Sequence, residues 1–94
     1  MRDYRKYEVW NNAHELVLFV YSQIAKEFPM EEGFGLTSQM KRAACSIPLL
    51  IVEGCGRNTD KDFAHFLDIS LGSAQELEYC LLLATDLKIL EKET

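Results

Sequence analysis

Apolar residues recur at steps of three and four along most of the chain, and polar residues fill the positions between them. This spacing places the apolar side chains on one face of an α-helix, so it predicts amphipathic helices. Proline, glycine and capping residues separate three such stretches. The pattern therefore predicts helices over about residues 9–28, 36–54 and 59–87.

The middle stretch contains Pro48, which does not shift the phase of the apolar positions around it. A proline inside a helix removes one backbone hydrogen bond and costs about 3 kcal/mol. Because the pattern continues in register on both sides, we predict one helix that is kinked at Pro48. A real break at Ser46–Ile47, giving two shorter helices, is the alternative.

No stretch alternates apolar and polar residues as a half-buried strand does. Long helices joined by short connections favour an all-α fold, an up-and-down antiparallel helical bundle. The 94 residues leave room for one domain, so residues 1–94 are predicted to form a single helical-bundle domain. The composition agrees, since 48% hydrophobic and 27% charged residues are typical of a packed globular chain.

The segment "SIPLLIVEGCGRNTDKDF" has two closely spaced glycines and an arginine, as some phosphate-binding loops do. Such a loop follows a strand and has a lysine and a hydroxyl entering the next helix, and neither feature is present here. A turn between two helices explains the segment better. We expect Gly54 or Gly56 to adopt the left-handed conformation that closes a helix. We expect Thr59 to cap the next helix, with Asp62 at the capping-box position.

Gly72 lies in the middle of the third stretch, within the small-residue sequence "SLGSA". A glycine inside a helix costs about 1 kcal/mol relative to alanine, so we expect another helix to pack closely against it. An exposed glycine without a packing role is the alternative.

The sequence predicts no catalytic, metal or cofactor site. Asp62 and His65 form one D-x-x-H pair, whereas a di-metal site in a bundle needs two such pairs and further carboxylates. Cys45, Cys55 and Cys80 include no CxxC pair and are expected to be free thiols in a reducing cytoplasm. Cys45 and Cys80 lie on or beside apolar stripes, where inert buried thiols are common, and Cys55 is expected to be more exposed in the turn. We therefore predict a non-enzymatic protein with no small-molecule substrate.

The 10 basic and 15 acidic residues give a formal charge of −5, which disfavours nonspecific nucleic-acid binding by a single chain. No apolar run is long enough to span a membrane. Aromatic residues nevertheless interleave with the basic N-terminal arm, as in proteins that bind single-stranded nucleic acid. A solvated helix face, with aromatics that pack the arm onto the bundle, is the simpler alternative. The candidate nucleic-acid-binding residues are Arg5, Lys6, Lys41, Arg42, Arg57 and Lys61.

Four blocks of sequence are informative in combination. They read "MRDYRKYEVWNNAHELVLFVY", "FPMEEGFGLTSQMKRAACSIP", "EGCGR" and "FAHFLDISLGSAQELEYCLLLATDL". Together they closely resemble the bacterial four-helix-bundle proteins that are named for 23S rRNA intervening sequences and carry a ribosomal-protein-like label. The accessory variability determinant protein of diversity-generating retroelements shares this pattern. The resemblance implies a four-helix bundle that assembles as a homopentamer and has no enzymatic activity, and the retroelement relatives use a basic surface to bind nucleic acid and a reverse transcriptase.

From this resemblance we expect a cytoplasmic homo-oligomer that binds RNA or an RNA–protein partner through a basic rim. A structural or protein–protein interaction module with no nucleic-acid contact is the alternative. The chain departs from the family pattern "SIPANIAEG" at Leu50, which replaces an asparagine and is expected to place an apolar group against the bundle. The family also continues into a fourth helix, which we expect to be missing from this sequence. Three amphipathic helices then leave an apolar groove open, unless another subunit fills it.

Overall fold

The structure, a computed structural model, describes residues 2–30 and 35–90. The described residues form an all-α bundle that contains no strand. Helix α1 comprises Glu8–Phe19, α2 comprises Leu36–Cys55 and α3 comprises Asp60–Asp86. A short 3₁₀ turn, Tyr4–Lys6, precedes α1. The predicted fold class is confirmed.

The backbone remains helical beyond α1, but its hydrogen-bond register changes. Val20–Ile24 forms a π-helical segment and Ala25–Glu27 forms a 3₁₀ turn. The hydroxyl of Ser22 donates to the carbonyl of Leu18 at 2.7 Å, a contact within the turn that commonly bends helices. The side-chain pattern predicts the helical path over these residues but not this change of register.

Helix α2 passes through Pro48 as one helix, so the alternative of two helices separated at Ser46–Ile47 is wrong. The carbonyl of Ile47, next to the proline, accepts a hydrogen bond from the hydroxyl of Ser70 on α3 at 2.9 Å. Ser70 is buried, so this bond joins the two helices inside the bundle. A buried donor that is satisfied in this way also fixes the register of α3 against α2.

The core lies mainly between α2 and α3, and the end of the first helical stretch closes one side of it. The largest side chains with a relative exposure below 2% are Met40, Ile51, Val20 and Cys55. Other faces of the bundle keep many large apolar side chains exposed, including Leu18, Leu71 and Leu82. Over the described ranges, no helix combines the length and the apolar character that a membrane crossing requires.

The chain turns back onto the core after α3. Lys88 has φ 64°, in the left-handed region. The amide of Ile89 donates to the carbonyl of Ala84 at 2.9 Å, and the amide of Lys88 donates to the carbonyl of Thr85 at 3.0 Å. These two bonds form the Schellman motif that ends many helices. They bring Ile89 and Leu90 against the core, where both are half-buried.

An open apolar groove runs between the first half of α2 and the second half of α3. Its volume is about 520 Å³, and Leu36, Tyr79 and Leu83 line it together with Gly72. A Cβ atom added at Gly72 would meet no described atom within 4 Å. The expected neighbouring helix is therefore not found among the described residues, and a groove of the kind predicted for three amphipathic helices is present.

Leu50 does not extend the core. It is half-buried, and it lines a second apolar cleft of about 530 Å³ on the outer side of α2 together with Leu49, which is 64% exposed. The reason is the helical geometry, since Leu50 lies about 100° around the axis from Ile51, which is buried in the core. The expectation that Leu50 faces the bundle is wrong.

Candidate nucleic-acid interface

The turn between α2 and α3 depends on a close approach of the two helices at Gly54. A Cβ atom at this position would lie 2.8 Å from Cβ of Phe66 and 3.2 Å from Cδ1 of Phe63. Gly56 follows α2 with φ −82°, and no described glycine has a positive φ. The expected left-handed glycine is therefore wrong. Glycine is needed at Gly54 because a side chain has no room there.

Helix α3 begins as the sequence predicts. The hydroxyl of Thr59 accepts a hydrogen bond from the amide of Asp62 at 3.1 Å, which confirms the predicted cap. Asp60 and Asp62 lie in the first turn, where the helix dipole favours negative charge. Because the segment follows a helix and precedes one, the turn interpretation is confirmed and the phosphate-loop interpretation is excluded.

Arg57 lies in this turn, and its backbone amide donates to the carbonyl of Gly54 at 3.0 Å. Its guanidinium carbon lies 4.5 Å from the centre of the Phe66 ring. The side chain is exposed, and it has no acidic partner in the described part of the chain. Stacking on an aromatic ring orients the planar guanidinium group while leaving its donors available to a ligand.

Arg2 fastens the N-terminal arm to the same turn, a role that the sequence does not reveal. Its backbone amide donates to the carbonyl of Cys55 at 3.3 Å, and its Nη1 donates to the carbonyl of Arg57 at 3.1 Å. Its Nη2 pairs with the carboxylate of Asp60. Its guanidinium carbon lies 4.4 Å from the centre of the Phe63 ring. Arg2 therefore holds together the end of α2, the turn and the start of α3.

The rest of the arm packs its aromatic side chains inward. Tyr4 meets Trp10 edge to face at 4.8 Å, and Tyr7 lies 5.7 Å from Phe63. Trp10 in turn stacks on His14 at 5.0 Å. These contacts agree with the alternative in which the aromatics attach the arm to the bundle. They leave Arg5 and Lys6 exposed on the arm, and Arg5 lies 4.9 Å above Tyr4.

Lys41 and Arg42 lie elsewhere, near the beginning of α2. The ammonium of Lys41 is 5.0 Å from the ring centre of Tyr21, which belongs to the π-helical segment. The hydroxyl of Tyr21 is also 3.3 Å from Sγ of Cys45, and this hydrogen bond raises the pKa of Tyr21. Arg42 is exposed and has no ion-pair partner among the described residues.

The six candidate residues therefore fall into two groups. Arg57 and Lys61 lie at the α2–α3 turn, to which the arm carrying Arg5 and Lys6 is attached. Lys41 and Arg42 lie near the opposite end of α2 from that turn, a separation of about 20 Å at the rise of an α-helix. We call Arg5, Lys6, Arg57 and Lys61 the turn-end group. One chain thus presents two basic areas rather than one continuous rim.

The thiols are arranged differently from the sequence-based expectation. Cys55 is 1% exposed, whereas Cys45 is half-buried, so the expected order of exposure is wrong for this pair. Cys55 points into the core at the end of α2, where the backbone amide of Arg2 donates to its carbonyl. Burial raises the pKa of Cys55 and of Cys80, which favours the protonated thiol over the reactive thiolate.

The single D-x-x-H pair lies on the surface. Asp62 and His65 are both exposed, and the ring of His65 lies 5.9 Å from that of Phe66. Within residues 2–30 and 35–90, no three His, Cys, Asp or Glu side chains converge as a metal site would require. The turn end therefore carries guanidinium and ammonium groups beside aromatic rings, together with the exposed carboxylates of Asp60 and Asp62.

Comparison with known protein families gave a match over most of the chain. The family model described as 23S rRNA-intervening sequence protein matches residues 5–94. A search of curated proteins found no match. The matched range includes all three α-helices, the arm from Arg5 onward and the turn in which Arg57 lies.

Proposed function

This chain belongs to the family of 23S rRNA-intervening sequence proteins, and we propose that it is a non-enzymatic, oligomeric helical-bundle protein that binds RNA or an RNA–protein partner. The turn-end group contacts the RNA backbone, and the second basic area at Lys41 and Arg42 extends that contact across the assembly. The family description names an rRNA element, which supports RNA as the nucleic acid.

The observation that carries the proposal is the state of Arg57. Its guanidinium group is exposed, has no acidic partner among the described residues and lies on the ring of Phe66. An arginine that is paired with a carboxylate or a carbonyl has fewer of its five N–H donors left for a ligand. Arg57 instead presents its donors to solvent from a rigid corner between two helices. Phosphate groups and unpaired bases are the ligands that such a group binds well.

Binding to a fluorescently labelled RNA with paired and unpaired regions tests the proposal. Anisotropy titrations of the whole chain at several salt concentrations should show affinity that falls with salt, because bound cations release counterions from the backbone. Replacement of Arg57 by glutamine should weaken binding about fivefold to tenfold. It should also lower the slope of log affinity against log salt by about 0.7, the value for one phosphate that is no longer neutralised.

Lys26→Gln is the matched control. It removes the same charge from an exposed position in the Ala25–Glu27 turn, outside both basic areas. Absence of binding by the unmodified chain at low salt would overturn the proposal. Equal reductions in affinity for the two variants would also overturn it, because only the net charge would then matter.

Assembly into a homo-oligomer, a pentamer by the family resemblance, is part of the same proposal. The apolar groove beside Gly72 and the apolar cleft beside Leu49 support it, since a monomer seldom leaves several such surfaces open. Light scattering of this chain tests this part. A monodisperse monomer at the concentration used for RNA binding would remove it.

A structural or protein–protein interaction module is the second candidate, and the same apolar surfaces favour it. The formal charge of −5 also suits a surface that avoids nucleic acid. Recovery of a protein partner that survives nuclease treatment, together with no RNA binding at low salt, would support this candidate over the first.

A further inference from the structure

A polar cleft lies between the arm and the α2–α3 turn. Its volume is about 430 Å³, and it is lined by Arg2, Gly56, Arg57 and Asn58. No acidic side chain of the described residues lines it, although Asp60 reaches Arg2 from the first turn of α3. A cleft lined by two arginines and an amide is suited to an oxyanion.

We propose that this cleft binds one phosphate group of the RNA backbone, with Arg2 and Arg57 as its two cationic ligands. That the ligand is RNA rests on the proposed function. The geometry of the cleft indicates an anion independently of that function. The proposal adds Arg2, which the sequence does not mark as a binding residue. In the free protein, the carboxylate of Asp60 pairs with Arg2 at the position that the phosphate takes when it binds.

Both guanidinium groups are held in place before any ligand arrives. Arg2 lies on Phe63 and Arg57 lies on Phe66, and these two rings are one helical turn apart on α3. Residues three apart share a helix face, so the two arginines approach the same side of α3. The bond from Arg2 to the carbonyl of Arg57 fixes one guanidinium beside the backbone of the other residue. Groups that are already ordered lose little entropy when they bind.

Gly56 leaves the cleft open. Among the described atoms, a Cβ atom there would contact only the carbonyl of Glu53, at 3.5 Å, so space remains where a side chain would otherwise stand. The conformation of Gly56, with φ −82° and ψ −2°, is one that any residue can adopt. The position therefore accepts a larger residue, which would fill the cleft without straining the backbone.

Asp60 shows where an anion is accepted. Its carboxylate pairs with Nη2 of Arg2, and its side chain is 99% exposed. Ion pairs with so exposed a member contribute little stability, so a ligand can compete with this one. A backbone phosphodiester has the same single negative charge and two free oxygens as a carboxylate, so it can take the place of Asp60 and accept two parallel hydrogen bonds from arginine. We infer that backbone phosphate displaces Asp60 from Arg2.

The test compares Asp60→Asn with Asp62→Asn. Both changes remove one negative charge from the first turn of α3, so they alter the net charge and the helix dipole equally. Only Asp60 pairs with Arg2; the side chain of Asp62 has no basic partner in the described ranges. We expect Asp60→Asn to bind the labelled RNA at least about threefold more tightly than Asp62→Asn. Its salt slope should equal that of Asp62→Asn, because the same number of phosphates is neutralised in both variants and only the competition from Asp60 is removed.

A second measurement does not depend on RNA. The Nε–H resonances of the arginines can be followed by NMR during titration with inorganic phosphate. We expect those of Arg2 and Arg57 to shift, more strongly in Asp60→Asn, and that of Arg42 to remain unchanged. If Asp60→Asn unfolds, Gly56→Leu gives the reverse test, because a filled cleft should abolish both the phosphate shifts and part of the RNA affinity.

The outcomes separate the two proposals. RNA binding that is equal in Asp60→Asn and Asp62→Asn, with no phosphate shift at Arg2, would overturn the cleft and leave the RNA-binding function standing. Phosphate shifts at Arg2 and Arg57 without RNA binding would support the cleft and overturn the proposed function. Absence of both RNA binding and phosphate shifts would overturn the cleft and the proposed function together.

Discussion

Helices α2 and α3 approach so closely at Gly54 that a side chain there should destabilise the fold. Replacing this glycine by alanine would place a Cβ atom 2.8 Å from Cβ of Phe66, 3.2 Å from Cδ1 of Phe63 and 3.4 Å from the carbonyl oxygen of Phe63. Cβ of Phe66 is fixed to the α3 backbone, so no side-chain rotation can move it away. Relief requires α2 and α3 to move apart near the turn.

The magnitude follows from two opposing effects. Overpacking of this kind costs about 1–3 kcal/mol, and contact with backbone-fixed atoms places it in the upper part of that range. Alanine regains about 1 kcal/mol of helix propensity, because the position lies inside the last turn of α2. We expect a net destabilisation of about 1–2 kcal/mol, which lowers the unfolding midpoint by about 5–15 °C in a domain of this size.

Thermal unfolding followed by far-UV circular dichroism measures this effect, and Gly72→Ala is its matched control. Both glycines lie inside helices, but a Cβ atom at Gly72 meets no described atom within 4 Å. In the isolated chain, Gly72→Ala should therefore raise the midpoint by about 4–8 °C, from helix propensity alone. A Gly54→Ala variant as stable as the unmodified chain would show that α2 and α3 accommodate the methyl group without cost, contrary to this prediction. A lower midpoint in Gly72→Ala would show that a partner fills the groove.

Three further predictions concern stability. Ser70→Ala should cost about 1 kcal/mol in chemical denaturation, because the buried bond to the carbonyl of Ile47 is removed, and an unchanged midpoint would contradict this role. Lys88→Gly should add about 0.5–1 kcal/mol, since glycine adopts a φ of 64° without strain; a lower thermal midpoint would argue against it. Burial raises the folded-state pKa of Cys55 and Cys80, so their contribution to stability is complete below the unfolded pKa of about 8.5 and disappears as pH rises through the folded values. Denaturation between about pH 7 and pH 10 should show this decline, and a Cys→Ala double variant should flatten it.

Much of the fold can be predicted from the sequence because side-chain periodicity reports which face of a helix is buried. The pattern through Pro48 predicts one helix correctly, and Ser70 supplies a bond next to the proline that the pattern cannot show. The change to π and 3₁₀ register after α1 escapes prediction, since the same side chains remain on the buried face. The left-handed position at Lys88 also escapes, because glycine or asparagine is the usual signal for that conformation.

The candidate site was harder to predict than the fold. Arg57 could be placed at a corner because the cap at Thr59 and the glycines mark the turn. Arg2 could not be placed, since its partners lie 55 and 58 residues away in the sequence. Lys41 and Arg42 are separated from the turn-end group by the length of α2. Basic residues on or beside one helix can therefore lie on two different surfaces.

The formal charge of −5 does not decide against RNA binding once the shape of the bundle is considered. The bundle is 44 Å long, and the turn-end group lies near one end of α2. Electrostatic interactions are screened beyond about 10 Å at about 0.1 M salt and beyond about 30 Å at about 0.01 M. At the higher salt an RNA at the turn end is affected mainly by the charges close to it, which are the turn-end group and the nearby Asp60 and Asp62. At the lower salt it also experiences the acidic remainder of the chain. RNA affinity should therefore rise less steeply than counterion release predicts as the salt falls from about 0.1 M to about 0.01 M. In an oligomer each copy adds the same negative charge, so this flattening should be stronger.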